Sequence, residues 1–173
     1  MITKRMEDAI CAQINAEYWS AYLYLAMSAH FVQAGYPGLA NWMRIQAKEE
    51  GTHAAKFFDY VLERDGKVTL MPIAAVPAKW ESPLVAFEDV LKHEQKVTSL
   101  INGLMQVAVE EKDFACQSML KWFIDEQVEE EANVKEILDS LRMVQGNGNG
   151  MFMIDRELRQ RVFVDATASS ATK

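Results

Sequence analysis

Cysteine, proline and long apolar runs are all scarce in this 173-residue chain, and each shortage narrows what it can be. The two cysteines, Cys11 and Cys116, are far apart and form no CxxC unit. A disulfide framework or thiolate metal site is therefore not expected, and a reducing compartment fits. No stretch approaches the roughly 20 apolar residues that span a bilayer. The opening MITKRMEDAICAQ has no apolar core of the kind a cleaved signal carries. The expectation is a soluble, cytoplasmic protein with no membrane partner. Basic residues number 18 against 25 acidic ones and form no block, leaving a formal charge of -7. Nucleic acid and anionic membrane surfaces attract Lys/Arg patches, so neither is an expected partner, whereas cations are natural ligands.

Half of the residues are hydrophobic, enough for one buried core, and the length is short for two domains with a linker. A single domain over 1–163 is expected, with 164–173, ending in ATASSATK, a flexible tail. Glycine and proline punctuate the chain. Gly35, Pro37 and Gly38 separate a first helix (about 3–34) from a second (about 38–65), which Gly66 ends. Ser82 and Pro83 form a cap and first-turn pair opening a third helix, and Asp113 caps a fourth that runs to about Arg142. The run Gly146-Asn-Gly-Asn-Gly150 precedes a short amphipathic segment, MFMIDRELRQRVF.

Short joints make the first and second helices antiparallel, and likewise the third and fourth. A helix of about 28 residues is about 42 Å long. The roughly 17 residues from Gly66 to Ser82 span about 55 Å when extended, enough to run back along the whole bundle. The expected fold is all-α: a four-helix bundle with one long crossover between helices 2 and 3 and a short C-terminal fifth helix.

Core positions alternate at spacings of three and four in each long helix. The stripes read Ile10, Ile14, Glu17, Ala21, Tyr24, Ser28, Phe31; Leu39, Met43, Gln46, Glu50, His53, Phe57, Tyr60; Phe87, Leu91, Glu94, Thr98, Ile101, Met105, Ala108; and Leu120, Phe123, Gln127, Glu130, Val134, Ile137, Leu141. An acid interrupts every stripe near its centre. Glu17, Glu50, Glu94 and Glu130 should therefore meet in one layer. Four buried carboxylates repel one another and resist desolvation, and these central stretches hold no Lys or Arg, so a metal is the remaining counter-charge.

Glu50 and His53 stand one turn apart on one face, an oxygen and an imidazole nitrogen offered to the same ion. One imidazole among carboxylates favours iron, manganese or zinc over calcium or magnesium. Four carboxylates carry -4, which two divalent ions neutralise, with Glu50 placed to bridge them. Away from this layer, His30 and His93 have no acid at ligand spacing and read as surface or edge residues. Methionines and tryptophans read as core filling. On spacing alone, Glu49, Glu126 and Glu129 are as consistent with a solvated acidic face as with metal binding.

At these residues the chain resembles a bacterial non-haem ferritin subunit. The resemblance rests on EYWSAYLY (17–24), KEEGTH (48–53), KHEQ (92–95), DEQVEEE (125–131) and the closing GMFMIDREL. It implies that Glu17, Glu50 with His53, Glu94, and Gln127 with Glu130 form a ferroxidase centre for two iron ions. A third iron site would use Glu49, Glu126 and Glu129 and share Glu130. Tyr24 matches a tyrosine beside the centre that donates an electron, and Gln127 could instead only hydrogen-bond near the metals.

The implied function is iron storage and detoxification: Fe(II) is oxidised by dioxygen or peroxide and laid down as ferric mineral in a self-assembled 24-subunit shell. Symmetric di-iron bundles carry a second Glu-x-x-His on the fourth helix, where this chain has Gln127 and Glu130. Haem-bearing relatives place a methionine where Gly51 stands, so haem is not expected. A di-metal oxygenase or peroxidase acting on a small organic substrate is the alternative, and a metal-free helical adaptor a third reading.

Overall fold

The computed structural model describes residues 1–167, so the last six residues of the tail expected over 164–173 lie outside the described residues. Within them five helices follow in order, with no strand: α1 (Lys4–Gln33), α2 (Pro37–Glu63), α3 (Pro83–Glu110), α4 (Phe114–Val144) and α5 (Gly148–Leu158). Local chemistry sets these boundaries. Thr3, Ser82 and Asp113 each accept a first-turn amide through the side chain, from Met6, Val85 and Cys116. Gly35, at φ +83, turns the chain out of α1. α2 opens with Pro37 at its first turn and no side-chain cap of its own. Asp155 of α5 supplies one instead, accepting from the amides of Gly38 (2.8 Å) and Leu39 (3.0 Å).

α1 packs chiefly on α2, and α3 on α4. The crossover can be followed along α1. The Lys67 amide donates to Glu7, Asn15 donates to the carbonyls of Met71 and Pro72, and Trp80 lies edge-on to His30, with ring centroids 5.4 Å apart. It therefore climbs from the beginning of α1 to its end, and α3 starts beside the start of α2, where Trp42 and Phe87 meet at 5.2 Å. At the opposite end Arg5 pairs with Glu110 near the close of α3. Helices α2 and α3 thus run parallel, joined by one long crossover.

The core divides into two apolar clusters. One gathers Tyr24, Met27, Phe31, Leu39, Met43, Phe87, Val134 and Leu138. The other gathers Ile10, Ile14, Phe57, Val61, Ile101, Leu120 and Phe123. Each large side chain so buried contributes about 1.5–3 kcal/mol. Those two clusters hold the helices in register and flank a polar layer between them.

Three expectations change. In α3 the innermost positions are Val90, Val97 and Leu104, while Leu91, Thr98 and Met105 are half-buried. A core-facing stripe is wider than a two-position seam, and the spacing rule chose the outer of two adjacent positions. The glycine run does not merely precede the last helix: α5 begins at Gly148 within it, and Asn147 caps α5, accepting from the amides of Asn149 and Gly150. A Cβ at Gly150 would lie 2.5 Å from Val144, so glycine is what lets α5 fold back against the end of α4. Finally, helicity stops at Leu158, and the chain continues non-helically along α2.

Candidate metal centre

The polar layer is built from the middle turns of four helices. Glu17, Gln46, Glu50, His53, Glu94, Gln127 and Glu130 are all buried, as is Tyr24. Ligand atoms of Glu17, Glu50 and His53 lie within 4.8 Å of one another, a spacing one metal ion can bridge. The His53 Nδ1 stands 3.4 Å from Glu50 Oε2. Gln13 donates to Glu17 Oε1 at 2.8 Å, but Glu17 Oε2 and Glu50 Oε2 are buried with no hydrogen-bond partner. Orphaned buried carboxylate oxygens are costly and call for a cation. The residues present therefore fit a metal ion.

Glu94 and Glu130 are held differently. Tyr24 donates its hydroxyl to Glu94 Oε1, and the Gln127 amide reaches both Glu94 Oε2 (3.3 Å) and the Glu94 carbonyl (3.2 Å). Gln46 donates to Glu130 Oε2 at 2.8 Å. Each carboxylate thus has a neutral donor in place of a cation.

Electrostatics agree with the geometry. Burial pushes the Glu17 and Glu50 carboxyls well above the usual range, reinforced at Glu17 by Glu50 and at Glu50 by Glu94 and Glu130. Glu94 is raised by burial, against the pull of Tyr24 and Gln127. Glu130 is pushed up to about 8 by burial and by the charges of Glu94 and Glu49. Tyr24 is also raised by burial and by Glu94, which keeps it a phenol.

The outer acids are more scattered. Glu126 Oε1 is 3.9 Å from His53 Nε2, and burial raises its pKa. Glu49 is partly buried and salt-bridged to Arg161 at 2.7 Å. Glu129 is exposed. The structure thus draws Glu49 and Glu126 to the rim and leaves Glu129 in solvent.

Sequence reasoning missed three neighbours. His93, read as a surface or edge residue, packs inward between Trp19 (5.3 Å) and Tyr24 (6.0 Å), with its Nε2 2.8 Å from the Ser20 hydroxyl. Burial lowers its pKa to about 4, so it is neutral there. Gln46 lay in the second stripe without an assigned role. Arg161 was read within the amphipathic segment that follows the glycines, which gave no sign that it meets Glu49.

Residues 7–144 match a ferritin-like domain. The chain belongs to the ferritin family. It is 42% identical over 161 residues to a bacterial non-heme ferritin of Bacteroides fragilis, covering 93% of this chain and all of that protein. A bacterial non-heme ferritin of Staphylococcus haemolyticus is 37% identical over 163 residues, covering 94% and 98%. Among solved structures, a closed form of Archaeoglobus fulgidus ferritin made by site-directed mutagenesis superposes with a TM-score of 0.94 at 45% identity, covering 95% and 100%. The open-pore ferritin of the same archaeon gives 0.93 at 45% identity, covering 94% and 100%. Within this ferritin, α1–α4 carry the match and α5 lies beyond the matched domain.

Proposed function

We infer that this ferritin stores iron and acts as a ferroxidase, with Fe(II) as substrate. The observation that carries the reading is the convergence of Glu17, Glu50 and His53, two of whose buried carboxylate oxygens have no partner. Iron is bound by carboxylate and imidazole together. Glu17, Glu50 and His53 hold one Fe(II). Glu50, Glu94 and Glu130 hold a second, with Gln127 and Gln46 steering the carboxylates. Glu49, Glu126 and Glu129, with Glu130 shared, form a third and more exposed station.

Two Fe(II) together give up two electrons. Dioxygen accepts them with two protons and leaves as hydrogen peroxide; peroxide as oxidant instead takes two electrons and two protons to give two waters. Tyr24, a buried phenol bonded to Glu94, is placed to donate a further electron and its proton. Ferric product then moves inward and is laid down as mineral within the shell.

Self-assembly is supported by an apolar face along α1 and the crossover, where Tyr22, Leu25, Leu70, Met71 and Ile73 are exposed in the subunit. A 24-subunit shell is the assembly this reading expects. No helix among the described residues is long and apolar enough to cross a membrane, and a cytoplasmic site of action is part of the proposal. Gly51 offers no side chain to a haem, and haem plays no role in this reading. The 340 Å³ cavity beside α5 is lined by Trp42, Ile137, Ile154 and Arg161 and by none of the paired acids, so it does not bring an organic substrate to them.

The test is rapid mixing of the iron-free assembled protein with Fe(II) in air, following ferric absorbance. Glu94→Ala and Glu130→Ala are expected to slow the initial phase at least about tenfold while size-exclusion still shows the assembled particle. Unchanged initial rates in both variants would sink the assignment.

A further inference from the structure

Beyond Leu158 the chain lies along α2 as a strap. Asn41 Nδ2 holds its start, donating to the carbonyls of Leu158 (3.2 Å), Arg159 (3.4 Å) and Arg161 (3.0 Å). Lys48 stands over the Phe163 ring at 5.6 Å, and Asp165 and Thr167 line a cavity with Thr52 and Lys56. The strap therefore follows α2 from Asn41 to Lys56, across the face that bears Glu49.

Through Arg161 the strap contacts an acid of the site. The Arg161 guanidinium lies over Trp42 at 4.9 Å and donates from Nη2 to Glu49 Oε2 at 2.7 Å. Only 23% of the Arg161 side chain and 18% of that of Glu49 are exposed. Its Nη1 is buried and has no hydrogen-bond partner. The ring, the tether at Asn41 and the carboxylate fix a cation at the rim of an otherwise anionic site. Glu49 is also an electrostatic neighbour of Glu126 and Glu130.

We propose that Arg161 is a tethered counter-cation that competes with metal for Glu49, so that the outer station fills only by exchanging the guanidinium for an ion. It rests on the reading that Glu49, Glu126 and Glu129 receive iron. A metal ion brings twice the charge of the guanidinium and several ligands at once, so exchange is favourable once the inner pair is full. Exchange also loosens the strap, because a charge-assisted anchor on α2 is then lost. Arg161 acts here as a specificity-determining residue: it lowers the affinity of the outer station without touching the inner pair.

Redox-inert Zn(II) titrated calorimetrically into the iron-free assembled protein separates the possibilities. Wild type is expected to bind two ions tightly per subunit and a third more weakly. Arg161→Gln should tighten the third about tenfold and leave the first two unchanged, whereas Arg161→Lys, which keeps the charge, should stay near wild type. In wild type, Zn(II) saturation should speed hydrogen exchange of the amides in 159–167, a readout that needs no variant. An unchanged or weaker third ion in Arg161→Gln, no third ion in either protein, or a strap whose exchange ignores Zn(II) overturns the proposal. Loss of the tight pair in wild type would instead overturn the underlying iron-site reading.

Discussion

Replacing Glu130 by glutamine should stabilise the iron-free protein while disabling it. Glu130 is buried, and its carboxyl is pushed up to about 8 by burial and by Glu94 and Glu49. A carboxyl with a raised folded pKa binds its proton more tightly folded than unfolded. Wild-type stability therefore falls as pH climbs from the ordinary 4.5 toward about 8. At about 1.4 kcal/mol per pH unit the ceiling is about 5 kcal/mol. Neighbouring carboxyls can take up the proton instead, which brings the expected gain to about 1–3 kcal/mol.

Packing favours the same variant. Gln46 Nε2 donates to Glu130 Oε2 at 2.8 Å, while Gln46 Oε1 is buried without a partner. An amide at position 130 can accept the first bond and donate a second to that oxygen. For a chain of this length, 2 kcal/mol corresponds to about 4–8 °C in Tm. Thermal unfolding of demetallated protein at fixed concentration is the assay. Glu130→Gln should melt higher than wild type at pH 8 and close to it at pH 5, where the wild-type carboxyl is already neutral. Added Zn(II) should then raise the wild type far more than the variant. An equal gain at both pH values, or a loss at pH 8, refutes the argument that this acid is held against its charge.

Two further perturbations test the scaffold. Asp113→Ala removes both the cap on Cys116 N (3.0 Å) and a two-point pairing with Arg64 (3.1 and 3.0 Å) that ties α2 to α4, and should cost about 1–3 kcal/mol by calorimetry; a change near zero would show that the pairing is idle. Gly38→Ala would place a Cβ 1.6 Å from the Asp155 carbonyl oxygen, so hydrogen exchange in 148–158 should rise sharply while α1–α4 stay protected. Undisturbed protection of α5 would mean that the close approach is not what docks it.

The bundle was legible because burial of four long helices writes itself into residue spacing. Glu17, Glu50, Glu94 and Glu130 stood out as acids in apolar stripes, and the length of the Gly66–Ser82 segment exceeded what a turn needs. Less was legible where contacts join distant, aperiodic segments. Arg161 meets Glu49 from a non-helical stretch, and no periodicity connects the two. His93 was misplaced for a related reason: its partners Ser20 and Trp19 sit on α1, and nothing in the spacing of α3 records them. Asn147 was hidden by its glycines, which suggest a loop even where one asparagine caps a helix.

The four central acids, read alike from the sequence, differ in how they are prepared for a cation, and on the proposed reading that difference sets the order in which iron binds. Glu17 and Glu50 keep buried oxygens without partners beside His53, so the first ion displaces only the protons that burial favours on these carboxyls and no neutral hydrogen-bond donor from those oxygens. Glu94 and Glu130 are satisfied by Tyr24, Gln127 and Gln46, so a second ion must replace neutral hydrogen bonds, each worth about 0.5–1.5 kcal/mol and more to a charged acceptor. Glu49 already holds a full positive charge, so a third ion must displace a guanidinium. Affinity should therefore decline from the centre to the rim. On that reading a site graded in this way fills its inner pair first and holds the outer ion most loosely, which is what a transit centre requires and a permanent metal site does not.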